Sequence, residues 1–194
     1  MLLGCSSPTI ETGDLLFVEA GSGQVDEAVG GATGRGYIHV GILQRDETTD
    51  SLWLIDATMK HGVSRRPLHQ YMAELTEADG SRPLLTVMRL DPNYHAADYV
   101  NHALRLTGCA YDYRYLPDND DYYCSELIYE TYVDDTGHHL FEARPMNFRN
   151  EQGTFDPFWI TLFDSLQMDV PQDTLGTNPN DLSRSPLLHK VCDL

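Results

Sequence analysis

The chain has 194 residues, a length that suits one domain and leaves little room for two. It carries 13 Lys and Arg against 30 Asp and Glu, a formal charge of −17. This excess of carboxylates argues against binding to nucleic acid and against docking on an anionic membrane through basic residues. The 4 cysteines are too sparse for a disulfide scaffold, and the absence of a Cys-x-x-Cys pair disfavours a structural zinc site.

The N-terminus resembles the end of a bacterial lipoprotein signal, with the letters MLLGCSS. In such a signal Cys5 becomes the lipidated residue, although here no basic segment precedes it and the apolar stretch is short. The alternative is an ordinary N-terminus that happens to contain a cysteine. We assign residues 1–12 to an N-terminal tail. Lipidation would place the protein at the bacterial cell envelope, on the periplasmic side, with the membrane contacted only through Cys5; an unmodified tail is compatible with the cytoplasm.

The first half of the chain alternates short apolar runs with turn residues, which is typical of a small sheet. One or two helical turns are predicted in the Gly-rich segment, within residues 24–29. Strands are predicted at residues 15–18, 38–43, 52–57, 62–68 and 84–90. The second and third of these strands flank a polar turn and are predicted to form an antiparallel hairpin.

The second half of the chain shows helical spacing of its apolar residues. Helices are predicted at residues 96–107, before Gly108, and at residues 124–133, with an aromatic and polar loop between them. The run 158–163 fits either a strand or a buried helix. Residues 171–186 are rich in Asn, Asp, Pro and Gly and predict an extended surface tail. The outline is an α+β domain over residues 13–194.

Cys124 carries the most chemical information because it stands at the predicted start of a helix. A thiol there meets the positive end of the helix dipole and unpaired N–H groups, which favour the nucleophilic thiolate. The same N–H groups would stabilise the oxyanion that forms when a thiolate attacks a carbonyl. The alternative is a buried cysteine that acts as a small hydrophobic residue. The residues alone leave both interpretations open.

Two polar residues, His39 and Asp56, lie inside apolar strands, where each is costly to bury without a partner. If these strands pair, Asp56 would hold one ring nitrogen of His39 and fix its tautomer. The other nitrogen would then serve as the base for a thiolate. The alternatives are a core histidine bonded to the backbone and an aspartate that faces water at a strand end.

Four segments in order resemble the YiiX/YebB-like branch of the NlpC superfamily of papain-like cysteine hydrolases, a branch in which the papain order is circularly permuted. They are Gly13-Asp14-Leu15-Leu16-Phe17, His39-Val40-Gly41-Ile42, Ile55-Asp56-Ala57 and Tyr123-Cys124-Ser125-Glu126-Leu127. The resemblance spans roughly Gly13 to Pro186, and His39 precedes Cys124, the reverse of the order in papain. One departure is Asp56, since a glutamate is common at this position of the branch.

The resemblance implies a papain-like α+β core, in which a small antiparallel, barrel-like sheet packs against helices. It implies Cys124 as the nucleophile, His39 as the general base and Asp56 as the group that orients His39. The backbone N–H of Cys124 would contribute to the oxyanion hole, and Tyr111 and Ser125 would contribute to that hole or to substrate binding. Neither a metal nor another cofactor is implied. The shorter side chain makes Asp56 the member of the triad whose reach is most open to question.

The leading hypothesis is a cysteine amidase or peptidase that cleaves an amide of a small peptide or acyl-amide, with cell-wall peptides among the candidates, through a thioester on Cys124. A lipid acyl hydrolase or acyltransferase would use the same residues but would need an apolar groove beside Cys124. A peptidase would instead present polar anchors for a free amine or carboxylate. A non-catalytic ligand-binding module is the third reading. The predicted partner is thus a small molecule, and the sequence leaves the oligomeric state open.

Overall fold

The computed structural model describes residues 9–117 and 119–194. The candidate lipidation site, Cys5, lies outside these residues. Within the described part, no helix has the length and apolar character needed to cross a membrane. The strands are β1 (Leu15–Glu19), β2 (Tyr37–Arg45), β3 (Leu52–Thr58), β4 (Gly62–Pro67), β5 (Leu85–Leu90), β6 (Arg144–Pro145), β7 (Leu175–Gly176) and β8 (Leu188–Asp193). The helices are α1 (Gln24–Thr33), α2 (Leu68–Glu74), α3 (Ala96–Arg105), α4 (Cys124–Thr131), α5 (Pro157–Ser165) and α6 (Pro179–Ser183).

Six strands form one antiparallel sheet in the order β4-β3-β2-β1-β5-β8. The predicted hairpin of β2 and β3 is confirmed, and its paired part runs from Ile42 opposite Ile55 to Arg45 opposite Leu52. The last strand, β8, was not predicted, and it pairs with β5 at one edge of the sheet. The short strands β6 and β7 pair separately from the main sheet. This α+β arrangement of an antiparallel sheet and packed helices is the predicted fold class.

The period of two in β1 divides its side chains between two hydrophobic cores. Leu15 and Phe17 join the core that contains the apolar residues of α3 and α4. Leu16 and Val18 join the core on the other face, which α2 covers. A third, aromatic cluster lies between α1 and α5 and contains Trp159. The site described below lies where elements from these three cores meet.

The segment 171–186 differs from its prediction as an extended surface tail, because it contains β7 and α6. Asn180 and Leu182 of α6 are buried. The Asn180 side chain donates to the backbone carbonyls of Thr33, at 2.9 Å, and Arg35, at 2.6 Å. Without Asn180, these carbonyls at the end of α1 would lack a hydrogen-bond donor. The polar composition of the segment 171–186 therefore reflects its contact with α1 rather than exposure to water. The ambiguous run 158–163 is helical, within α5.

Residues 9–12, which the sequence analysis assigned to the N-terminal tail, pack on the sheet. Ile10 is buried in the core that α2 covers. The backbone carbonyl of Thr9 accepts a hydrogen bond of 2.7 Å from the Arg89 guanidinium. The same guanidinium binds the buried carboxylate of Asp14 through Nε, at 2.7 Å. Asp14 of the opening motif therefore anchors β1 to β5 at a distance from the candidate site.

Candidate active site

Three separate segments bring Cys124, His39 and Asp56 to one place. Cys124 is the first residue of α4, His39 lies on β2 and Asp56 on β3. The His39 ring donates from Nε2 to Asp56 Oδ2 at 2.9 Å. Asp56 is fully buried, and the side chain of His39 is 16% exposed. Because Asp56 engages Nε2, the contact of His39 with the neighbouring thiol of Cys124 falls to Nδ1.

The charge states of His39 and Asp56 support each other. Burial disfavours the imidazolium of His39, but hydrogen bonds to Asp56 and Cys124 outweigh it and raise the pKa of His39 from 6.5 to about 10. Burial likewise disfavours the Asp56 carboxylate, yet the His39 hydrogen bond and charge, together with Arg66, hold the pKa of Asp56 below its usual value. His39 therefore holds a proton beside the thiol of Cys124.

Gly41 allows the short aspartate to reach the histidine. A Cβ atom at Gly41 would lie 3.0 Å from Asp56 Cβ and 2.8 Å from Leu54 Cδ1, closer than packed side chains permit. Because glycine lacks that atom, β3 approaches β2 closely enough for Asp56 to bond His39. The His-Val-Gly sequence thus places the base and makes room for its partner.

The start of α4 presents the Cys124 thiol and its neighbouring N–H groups. Tyr123 precedes the helix, and its N–H donates to the Glu126 carboxyl at 3.2 Å. Burial raises the pKa of Glu126 to about 8, so this carboxyl is mostly neutral near pH 7. The N–H groups of the first helical turn have no acceptor within the helix, and they are available to an oxyanion formed on a bound carbonyl.

Tyr111 and Ser125, the predicted substrate or oxyanion residues, both flank Cys124. The Tyr111 hydroxyl lies 3.0 Å from the Tyr115 hydroxyl, and burial raises the pKa of Tyr111 well above its usual value, with Tyr115 adding to the shift. Ser125 is fully buried, and its hydroxyl has no hydrogen-bond partner in the described structure. Ser125 lines the cavity beside Cys124, so its buried hydroxyl is a polar group without a partner among the described residues.

One cavity beside Cys124, of about 200 Å³, has largely aromatic and aliphatic walls. We call it the aromatic cavity and define it by Tyr111, Tyr115, Tyr123, Phe148 and Trp159, with Ile38 at the β2 end. Residues of the segment 171–186 close one side of it, and the N–H of Thr177 donates to the Tyr123 hydroxyl at 3.0 Å. The sequence analysis associated such an apolar groove with a lipid acyl hydrolase or acyltransferase.

A second depression, of about 460 Å³, also borders Cys124 and contains His39. We call it the charged cleft for its ionisable residues Glu19, Asp26, Lys60, His61, Arg66 and Glu74, which stand among mainly apolar and aromatic walls. It shares Ile38, Tyr111 and Tyr115 with the aromatic cavity. Cys124 therefore borders two depressions with mainly apolar walls, and the charged cleft adds ionisable side chains.

Sequence reasoning missed Arg66, which binds the far side of the triad. Arg66 donates from Nη2 to Asp56 Oδ2 at 2.8 Å and from Nη1 to Glu74 Oε2 at 2.8 Å. The available signal was the alternation of side chains along β4, which places Arg66 on the same face as Ser64. Ser64 is the residue that pairs with Asp56 of β3. That signal required the pairing of β3 with β4 to be known.

Within residues 9–117 and 119–194, no group of three or more His, Cys, Asp and Glu side chains is arranged to hold a metal ion.

Comparison with known proteins identifies similar chains. A family model described as permuted papain-like amidase enzyme, YaeF/YiiX, C92 family, matches residues 9–192. Among solved structures, the crystal structure of the metalloprotein YiiX from Escherichia coli O157:H7 is similar with a TM-score of 0.75 and 21% identity, covering 97% of this chain and 99% of that chain. At this identity the likeness shows the fold. The comparison with curated proteins found no match.

Proposed function

Because the chain belongs to the permuted papain-like amidase family, YaeF/YiiX, C92, we propose that this cysteine hydrolase cleaves the amide bond of an N-acyl amine, with Cys124 as its nucleophile. The observation that carries the proposal is the 2.9 Å hydrogen bond between His39 and Asp56 beside a cysteine at a helix N-terminus. A base that is oriented by a buried carboxylate, next to a thiol, is the arrangement that activates a nucleophile.

The first half of the reaction forms a thioester. The Cys124 thiolate attacks the amide carbon, and the carbonyl electrons move to oxygen, where the N–H groups at the start of α4 stabilise the charge. His39 then gives its Nδ1 proton to the amide nitrogen as the C–N bond breaks, and the amine leaves. Asp56 keeps the imidazole oriented while the charge of His39 changes.

The second half of the reaction releases the acid. Water loses a proton to His39 as its oxygen attacks the thioester carbon. The C–S bond breaks, the product departs as the carboxylic acid, Cys124 returns to the thiolate form and His39 is again protonated. Each turnover therefore consumes one water and yields one carboxylic acid and one amine.

The surroundings of Cys124 support an N-acyl amine rather than a substrate that is polar at both ends. The aromatic cavity suits an apolar acyl group, because its aromatic walls remove apolar surface from water. The charged cleft carries both acidic side chains (Glu19, Asp26) and a basic one (Lys60), so it suits a leaving amine that bears further polar groups. The acyl carbon would then lie between them, at the Cys124 thiol.

The aromatic cavity also supports a second candidate function, a lipid acyl hydrolase or acyltransferase. Such an enzyme would form the same thioester and pass the acyl group to water or to a hydroxyl or amine acceptor. The cavity of about 200 Å³ favours a compact acyl group over a long chain. We therefore place the amidase first.

The test begins with a reagent rather than with a guessed substrate. An acyl-fluoride or chloromethyl-ketone probe with a compact apolar acyl group should label Cys124, as read by peptide mass spectrometry, and Cys124→Ala should abolish that label. Cys109→Ala is the matched control, since Cys109 is a partly buried thiol outside the triad. Labelling that survives Cys124→Ala would contradict the proposal.

Substrate class is then decided with matched pairs. We compare N-acyl anilides and phenyl esters that carry acetyl, butyryl, benzoyl or dodecanoyl groups. The anilides with the three compact acyl groups should be the best substrates, and activity should be lost with dodecanoyl. A preference for dodecanoyl esters, or acyl transfer to an added alcohol that exceeds hydrolysis, would favour the lipid enzyme.

Lipidation of Cys5 and a cell-envelope location stay proposals from the sequence, and mass spectrometry of the protein purified from its native cells tests them.

A further inference from the structure

We propose that Arg66, held in place by Glu74, is a positioning residue for the Asp56 carboxylate, so that the site is a series of four linked side chains behind Cys124. The inference rests on the proposed function, because it concerns how the base His39 is oriented. The proposed role adds α2, through Glu74, to the elements that determine the reactivity of Cys124.

The contacts that carry the inference all lie on one carboxylate oxygen. Asp56 Oδ2 accepts from His39 Nε2 at 2.9 Å and from Arg66 Nη2 at 2.8 Å. The other oxygen, Oδ1, is buried and has no hydrogen-bond partner in the described structure. A carboxylate bonded only to His39 could present either oxygen by rotation. Two donors on Oδ2 select one orientation and so direct the imidazole toward Cys124.

Arg66 is itself fixed on three sides. It is 8% exposed, and its guanidinium lies over the Tyr71 ring at 4.7 Å from the centroid. The centroid of the same Tyr71 ring lies 6.1 Å from the centroid of the His39 ring, so Tyr71 neighbours both residues. From α2, Glu74 binds Arg66 Nη1 at 2.8 Å, and its side chain is 34% exposed. The series thus begins at a buried thiol and ends at the surface.

The charges along the series alternate in sign. Asp56 is faced by His39 from β2, by Arg66 from β4 and by Tyr71 and Glu74 from α2. Burial raises the pKa of Tyr71 well above its usual value, so Tyr71 stays neutral. Removing the Arg66 cation would leave Asp56 easier to protonate, and a protonated Asp56 no longer balances the imidazolium of His39.

The experiment measures the rate of Cys124 carbamidomethylation by iodoacetamide between pH 4 and pH 10, with the modified peptide quantified by mass spectrometry. Arg66→Met should slow the reaction at pH 7 by about tenfold or more and move its acid limb to higher pH. Arg66→Lys keeps the positive charge but loses the guanidinium that contacts both Asp56 and Glu74. Its reaction rate should lie between those of the native protein and Arg66→Met. Glu74→Gln, at a partly exposed pair, should slow the reaction by about threefold.

Two controls separate positioning from general damage. Arg65→Met removes the neighbouring arginine of β4, which stacks on Trp53 rather than on the triad, and should leave the profile unchanged. Glu77→Gln removes an exposed carboxylate just past α2 and should also leave it unchanged. Thermal unfolding of every variant reports folding. If Arg66→Met does not fold, the pH profiles of Glu74→Gln and Arg66→Lys decide the question.

The outcomes distinguish this inference from the proposed function. His39→Ala should abolish the enhanced reactivity of Cys124. If it does, while the Arg66 and Glu74 variants keep the native profile, the positioning role is overturned and the nucleophile stands. If His39→Ala leaves the Cys124 reactivity unchanged, the proposed function and the positioning role are both overturned. A shifted acid limb in Arg66→Met with partial rescue in Arg66→Lys supports the positioning role.

Discussion

Replacing Asp56 with Asn removes the negative charge that faces His39 and keeps the size of the side chain. In the native protein the pKa of His39 lies at about 10 despite burial, because Asp56 and Cys124 both favour the imidazolium. A hydrogen bond to a charged group contributes about 1.5–3 kcal/mol, and one pKa unit corresponds to about 1.4 kcal/mol. The pKa of His39 should therefore fall by about one to two units in Asp56→Asn.

The assay is an NMR titration of the imidazole Cε1–H resonance in protein labelled at histidine. The His39 signal is assigned by its absence from the spectrum of His39→Gln. Asp98→Asn is the matched control, because Asp98 is exposed on α3 away from the site. Its His39 midpoint should equal that of the native protein. A native midpoint near 6.5, or equal midpoints in the native and Asp56→Asn proteins, would refute the reasoning.

The same change predicts a pH dependence of stability. The folded pKa of His39 is raised above 6.5, so its pairing stabilises the folded protein fully below that pH, and the contribution is lost as pH rises toward 10. The free energy of unfolding in urea should fall between pH 6.5 and pH 10 in the native protein. It should fall less steeply in Asp56→Asn, whose folded His39 pKa is closer to the unfolded value.

Three further predictions test the supports of the site. Gly41→Ala should reduce hydrolysis at least about tenfold with a small change in melting temperature, because the new Cβ would push Asp56 from His39 by meeting its Cβ at 3.0 Å. Burial raises the pKa of Glu126 to about 8, so stability should fall as pH rises from 4.5 to 8, and urea unfolding of Glu126→Gln should lose that dependence. Asn180→Ala should lower the free energy of unfolding by about 1–3 kcal/mol, since the carbonyls of Thr33 and Arg35 each lose a donor.

The sequence determined the parts of this protein that depend on near neighbours along the chain. The alternation of β1 and β2 predicts two buried faces, and the turn residues predict where strands end. The start of α4 is predicted by the change of apolar spacing after the aromatic loop. His39 and Asp56 stood out because polar residues inside apolar strands need a partner, and the structure shows that each supplies the other with one.

The tertiary structure alone decided which distant groups complete the site. Arg66 reads as one of two adjacent arginines, and only the pairing of β3 with β4 turns it toward Asp56. The segment 171–186 has the composition of a surface loop, yet its polar side chains bond to α1 and enclose the aromatic cavity. A sequence pattern reports the local period of burial, whereas hydrogen bonds between separate elements depend on how those elements pack. That is why the pairing of His39 with Asp56 could be predicted from the sequence, while the side chains and surfaces that surround it could not.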